Sequence, residues 1–234
     1  EAGGQVSDTT TPILLQQLSR DVDVPVWAWG GIGVHTAAAA IQLGAAGVVL
    51  DSQVALYPEA GLSPDEREAI ATMDGSETAV TDGFRHYDRP GPLREARIPI
   101  GQDGAFAGPF AKRYPQLIDV VRELAWEIDA HLGQAATTRP LAPGSPFARQ
   151  HGLVYPIAQG PMTRVSDVAA FADAVAENGA LPFLALSLVR GPSLDTMLEE
   201  TAERLGDRPW GVGMLGFAPE EVRQAQLERV MKLK

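Results

Sequence analysis

Cysteine is missing altogether from the 234 residues, which excludes disulfides, thiolate metal sites and a cysteine nucleophile. Positive charge is also scarce, since 19 Lys and Arg stand against 30 Asp and Glu for a net charge of -11. A nucleic-acid backbone or an anionic membrane needs clustered Lys and Arg, so neither is expected as a partner. No apolar run approaches the roughly 18 residues of a membrane helix. The first residues lack the basic start and apolar stretch of a signal peptide, and no initiator Met precedes them. The chain is therefore expected to begin and end inside a domain, in the cytoplasm, a setting that the lack of cysteine permits. What is present is a globular composition, 45% hydrophobic and 21% charged.

Strand and helix patterns alternate along the chain, as in a parallel sheet. Val24 to Trp29 is a short β-rich run, 35 to 43 an alanine-rich helix closed by Gly44, and Gly47 to Leu50 the next strand. Ser63-Pro64-Asp65-Glu66 is a helix start with a capping box, predicting a helix to about Met73. Residues 74–113, rich in Gly, Pro and Arg, carry no long period and are expected to be an irregular surface excursion. Leu117, Val121, Leu124, Ile128 and Leu132 predict an amphipathic helix over 115–132, followed by an Ala-, Thr- and Pro-rich linker over 134–146. From Val154 the rhythm resumes, with strands at 154–158, 181–186 and 210–214 and helices at 166–178, 193–205 and 219–231.

Chemistry in a parallel barrel sits where loops leave the strand ends. After Trp29 the turn Gly30-Gly31-Ile32-Gly33 offers unshielded amides and the positive end of the next helix, a setting that favours an anion. The next strand ends in Asp51-Ser52-Gln53. The same glycines also fit a plainer role as tight strand-to-helix turns. The first pair of βα units reads as the closing end of a phosphate-binding barrel, whereas Tyr155 to Thr163 reads as an opening strand and loop. That order, with about five clear strands against the roughly eight a barrel needs, predicts an α/β chain of partial (β/α)8 TIM-barrel units. Residues 1–61 are assigned to the C-terminal part of one barrel, 62–150 to a helical connector and 151–234 to the N-terminal part of a second.

Glu1-Ala2-Gly3-Gly4, Trp29-Gly30-Gly31-Ile32, Asp74-Gly75-Ser76-Glu77-Thr78 and Gln159-Gly160-Pro161-Met162 together resemble the nitronate monooxygenase (2-nitropropane dioxygenase) family. That family consists of FMN-binding TIM barrels and includes flavin enoyl reductases of fatty-acid and polyketide synthesis. The longer wording, with Gly179 to Leu186, Leu50 to Gln53 and Ile98 to Asp103, is similar to the tandem form found in bacterial polyketide and polyunsaturated fatty-acid synthases. The resemblance implies an FMN oxidoreductase acting on a small molecule or an acyl thioester, beside other modules of one synthase. It implies that Gln159, Gly160, Pro161 and Met162 line the isoalloxazine ring with Gly213 and Met214, and that Gly3, Gly4, Gly30, Gly31, Ser52 and Gln53 surround the phosphate. For Met162 and Met214 core filling is the alternative, and for Gln159 a buried amide bonded to backbone.

One residue departs from the pattern. Gln5 stands where the family has a histidine implicated in proton transfer, and an amide does not exchange a proton near neutral pH as imidazole does. His35, His86, His131 and His151 do not match that position, so no catalytic residue is assigned. Asp51 brings a negative charge to the expected phosphate loops, unwelcome unless it turns away. Two other readings stand beside the flavin one: a non-catalytic structural or docking module of a synthase, which Gln5 favours, and a phosphate-binding barrel without flavin.

Overall fold

A computed structural model describes residues 3–233; Glu1 and Ala2, half of the first motif, lie outside the described residues. The chain divides into two compact units, Glu1–Thr137 and Thr138–Lys234.

In the first unit, α1 (Thr11–Asp21) starts on Pro12 and buries Leu15. The expected elements do not include this helix, although Leu14, Leu15 and Leu18 recur at the three- and four-residue spacing of one. Strands β1 (Trp27–Trp29) and β2 (Gly47–Val49) pair in parallel through α2 (Val34–Gln42). Ala37 and Ala40 are buried with Ala28 and Ile32, so small side chains let α2 lie close to the strands. After β2, short 3₁₀ turns at Ser52–Val54 and Pro58–Ala60 lead to α3 (Pro64–Ala71). Its capping box is formed as expected: Ser63 N donates to Glu66 at 2.8 Å and Glu66 N to Ser63 Oγ at 3.3 Å.

The 74–113 stretch is more regular than its composition suggested. Thr78–Thr81 (β3) and Phe84–Tyr87 (β4) form an antiparallel hairpin, followed by α4 (Pro92–Glu95), a 3₁₀ segment Gln102–Phe106 and α5 (Ala107–Arg113). The hairpin signal is Asp82-Gly83, both at positive φ (52° and 79°), as a two-residue turn between twisted strands demands. Helix α6 (Leu117–Thr138) runs into the expected linker. It buries Val120 and Leu124, while Val121, expected on the apolar stripe, is 68% exposed. Leu117, Leu124 and Ile128 of the expected stripe pack inward, while Val120 takes the place of Val121 because it packs with Tyr57, Phe110 and Tyr114.

Tyr114 in that cluster gives a pH prediction. Burial, reinforced by the Glu127 carboxylate, pushes its phenol up to about 12, from an ordinary value near 10. Folding thus favours the neutral phenol; the contribution is complete below about pH 10 and is lost as pH rises through about 12. Urea denaturation across that alkaline window is expected to show declining stability that Tyr114→Phe flattens; an unchanged decline in the variant would assign it elsewhere.

The second unit resumes parallel βα structure. After α7 (Pro146–Gln150) come β5 (Ala158–Gln159), α8 (Ala169–Glu177), β6 (Leu181–Ser187), α9 (Pro192–Leu205), β7 (Gly211–Met214) and α10 (Glu220–Val230). The sheet order is β5-β6-β7, all parallel. The strand expected at 154–158 shortens to two residues; Pro156 has no N–H for the ladder, though Leu181 N still bonds Ile157 O at 2.8 Å. Leu184, Leu186, Leu194 and Leu198 form the core between β6 and α9. Among the described residues no helix is long and apolar enough to cross a membrane, and no three His, Asp or Glu side chains are placed to hold a metal ion.

Candidate functional site

The two units each present a set of parallel strand ends. In the first, the Gly3-Gly4 turn is fixed by the hairpin: Arg85 N donates to Gly4 O at 2.6 Å, Val6 N to Gly83 O at 2.9 Å, and Gln5 bridges Phe84. Gly4 sits at φ +81°, and a Cβ there would lie 2.7 Å from the Arg85 carbonyl oxygen. Only glycine fits that approach. Gln5 is thereby held in an isolated antiparallel bridge beside β4.

Three of the amides expected to cradle a phosphate, those of Gly3, Gly31 and Ser52, donate to carboxylates of the protein itself. Asp51 does not turn away. Its Oδ2 accepts from Gly3 N and from the Trp29 indole, both at 2.7 Å, and its Oδ1 accepts from Ser52 N at 2.5 Å. Gly31 N donates to Asp103 Oδ2 at 3.1 Å. Gln53, fully buried, donates through Nε2 to that same oxygen at 3.2 Å and to Ile32 O at 2.7 Å, while its Oε1 accepts from Asp51 N at 2.8 Å. Gly30 and Gly31 adopt positive φ, as the turn requires. A cavity of about 340 Å³ adjoins them, walled by Thr11, Leu15, Ala40 and Leu43. Among the described residues its one charged lining residue is Asp103, and no Lys or Arg lines it. These residues do not fit a bound phosphate.

In the second unit the expected ring-facing residues converge. Gln159 ends β5 with its amide spent on backbone: Oε1 accepts from Phe183 N at 3.2 Å and Nε2 donates to Gly160 O. The amide is bonded to backbone but only half-buried, so it matches the alternative of a buried backbone-bonded amide in its partners and not in its burial. Gly160 is open, with no atom within 4 Å of a Cβ added there. Pro161 packs on Gly213 of β7, so closely that a Cβ on Gly213 would clash with its ring. Met162 N donates to Ser166 Oγ at 2.8 Å, and the Met162 and Met214 side chains are 45% and 39% exposed, not core filling. The unit therefore brings Gln159, Gly160, Pro161, Met162, Gly213 and Met214 to the C-terminal ends of β5 and β7.

Three contributors escaped the sequence reading. Ser187, ending β6 at φ 50°, donates through its hydroxyl to Thr163 Oγ1 at 2.9 Å. Gln226 on α10, buried, donates to Ser187 O at 3.2 Å and Val189 O at 3.0 Å. Asp103 closes the Ile98 to Asp103 motif, but its separation of 72 residues from Gly31 leaves no local sign of the contact.

Solved structures resemble the chain, two of them being forms of one protein. FabK from Thermotoga maritima aligns with TM-score 0.50 and 20% identity over 58% of this chain and 54% of its own. A point variant of the same protein aligns with TM-score 0.48 and 24% identity, over 57% and 53%. The chain thus spans about half the length of these proteins, and at 20% identity the likeness to the first concerns the fold alone. No family profile and no curated protein matches.

Proposed function

We propose that the chain is part of an FMN-dependent oxidoreductase, enoyl reductase-like or nitronate monooxygenase-like, in which the second unit supplies the flavin-facing strand ends. The observation that carries this reading is the seat of Pro161 on Gly213. It reaches from the loop after β5 to β7, across the intervening β6. Side chains from alternate strands share a layer when a parallel sheet curves toward a barrel. The three strands of this sheet and the two of the β1–β2 sheet fall short of the roughly eight of a closed barrel, so each is read as part of a larger one, in a multidomain polyketide or fatty-acid synthase.

The residues present fit the ring side of such a cofactor. Met162 and Met214 offer exposed, adaptable apolar surface at the strand ends. The Ser187–Thr163 hydroxyl pair offers polar contacts beside them, and the spent amide of Gln159 holds the loop in place. FMN, when bound, supplies the redox chemistry, leaving the protein to orient substrate and exclude water. An acyl thioester delivered by a neighbouring module, or a small nitronate, is the proposed substrate class.

A second reading, a non-catalytic module, is favoured for the first unit by Gln5 and by the carboxylates on its amides. The test is to express the reading frame extended in both directions and record its absorbance and NAD(P)H oxidation. Flavin bands with turnover of an enoyl thioester support the reductase, and flavin with oxygen-dependent nitronate oxidation the monooxygenase. A colourless, inactive and folded protein would leave the non-catalytic module.

A further inference from the structure

We infer that the glycine-rich face of the first unit is self-liganded, the Gly3, Gly31 and Ser52 amides and the Trp29 indole being taken by Asp51 and Asp103, so that this unit holds no flavin phosphate. Oriented amides at a strand-to-helix turn favour whichever anion reaches them. Here two of the protein's own anions do. Asp51 collects three donors from three segments: the Gly3 amide, the Trp29 indole at the end of β1, and the Ser52 amide after β2. Asp103, almost fully buried, takes the Gly31 amide and the Gln53 side chain, and through Gln53 joins the β1 turn at Ile32 O. Charge-assisted bonds of this kind are stronger than neutral ones.

A phosphate has to displace both carboxylates or sit beside them. Displacement moves Asp103 out of a buried position where it already has donors, and an unpaired buried charge is costly. Sitting beside them places like charges in contact, with no Lys or Arg among the described residues lining the adjoining cavity to offset the repulsion. The two aspartates thus act as internal cross-links between the strand ends, in the place of an exchangeable ligand. The choice of phosphate as the probe rests on the flavin reading above; the hydrogen bonds themselves do not.

The experiment is a titration of inorganic phosphate into the ¹⁵N-labelled 234-residue chain, following the amides of Gly3, Gly31 and Ser52 and the indole N–H of Trp29. In the unsubstituted chain these signals are expected to stay in place. Asp51→Asn and Asp103→Asn remove the charges while keeping size and an acceptor oxygen. In the doubly substituted chain the signals are expected to move saturably, with apparent phosphate affinity raised by about tenfold or more. Saturable movement in the unsubstituted chain overturns the inference. So does a double variant that keeps a dispersed, folded spectrum and remains unresponsive. If the variant does not fold, the unsubstituted titration still decides. Because inorganic phosphate carries no ring, a response here would leave the flavin proposal for the second unit standing, and a colourless extended protein would leave this inference standing.

Discussion

Replacing Gly213 with valine is expected to lower the stability of the second unit by roughly 3 kcal/mol, the upper end of what overpacking a tight site costs, and to unseat the Pro161 loop. Gly213 lies in β7, paired with Ala185 of β6. A Cβ there meets Cβ and Cγ of Pro161 well inside the 3.0 Å that real contacts respect. Proline cannot rotate out of the way, since its ring fixes φ. The loop must therefore shift as a body, taking Gly160 and Met162 with it. Met162 N then loses the Ser166 hydroxyl, and Ser166 O is the acceptor for Ala185 N, so the disturbance reaches β6. The measurement is the urea midpoint together with the Met162 methyl resonance. Gly160→Ala is the control: nothing lies within 4 Å of its added Cβ, and a change within about 0.5 kcal/mol is expected. Equal effects from the two substitutions would mean that Pro161 does not rest on Gly213.

The contrast between those two glycines also shows what a sequence discloses. Both belong to motifs that sequence reading singles out, yet the approach of Pro161 depends on how β5 and β7 flank β6. The local signals were readable where local physics decides. Ser63 and Glu66 close a capping box three residues apart, Gly179 and Gly206 end helices near the expected places, and the alanines of α2 announce close packing. The Asp82-Gly83 hairpin was equally local and was missed because the surrounding Gly, Pro and Arg masked the alternation of Thr78–Thr81 and Phe84–Tyr87.

Non-local partners decide the rest. Asp51 reaches Gly3 across 48 residues and Asp103 reaches Gly31 across 72, so a sequence shows glycines fit for an anion without showing which anion arrives. Val121 and Val120 compete for the same helical stripe, and the position of Tyr57 and Tyr114 settles it in favour of Val120.

Gln226→Leu is expected to cost roughly 1–3 kcal/mol, because the Ser187 and Val189 carbonyls it leaves without a donor belong to half-buried residues that water reaches only in part. Gln226 is fully buried on α10 and its Nε2 donates to both Ser187 O and Val189 O, the carbonyls of the turn that leaves β6. Leucine keeps the volume but offers no donor. Part of the loss is offset, since Gln226 Oε1 is itself buried without a hydrogen-bond partner and disappears with the substitution. The turn it holds is strained: Ser187 occupies φ 50°, a region a non-glycine residue enters at a cost of order 1–3 kcal/mol. Released from Gln226, Ser187 is expected to relax to negative φ and to withdraw its hydroxyl from Thr163, 2.9 Å away in the loop after β5. Gln226→Glu separates the two contributions, because its carboxylate keeps the shape and presents only acceptors to the two carbonyls. It should be worse than leucine at neutral pH and recover as the carboxyl is protonated in acid, when one donor returns. A urea series at both pH values checks this, with hydrogen exchange at Val189 reporting the turn. If Gln226→Glu matched the parent at neutral pH, the Nε2 bonds would not be what holds the strand end that the proposed flavin face needs.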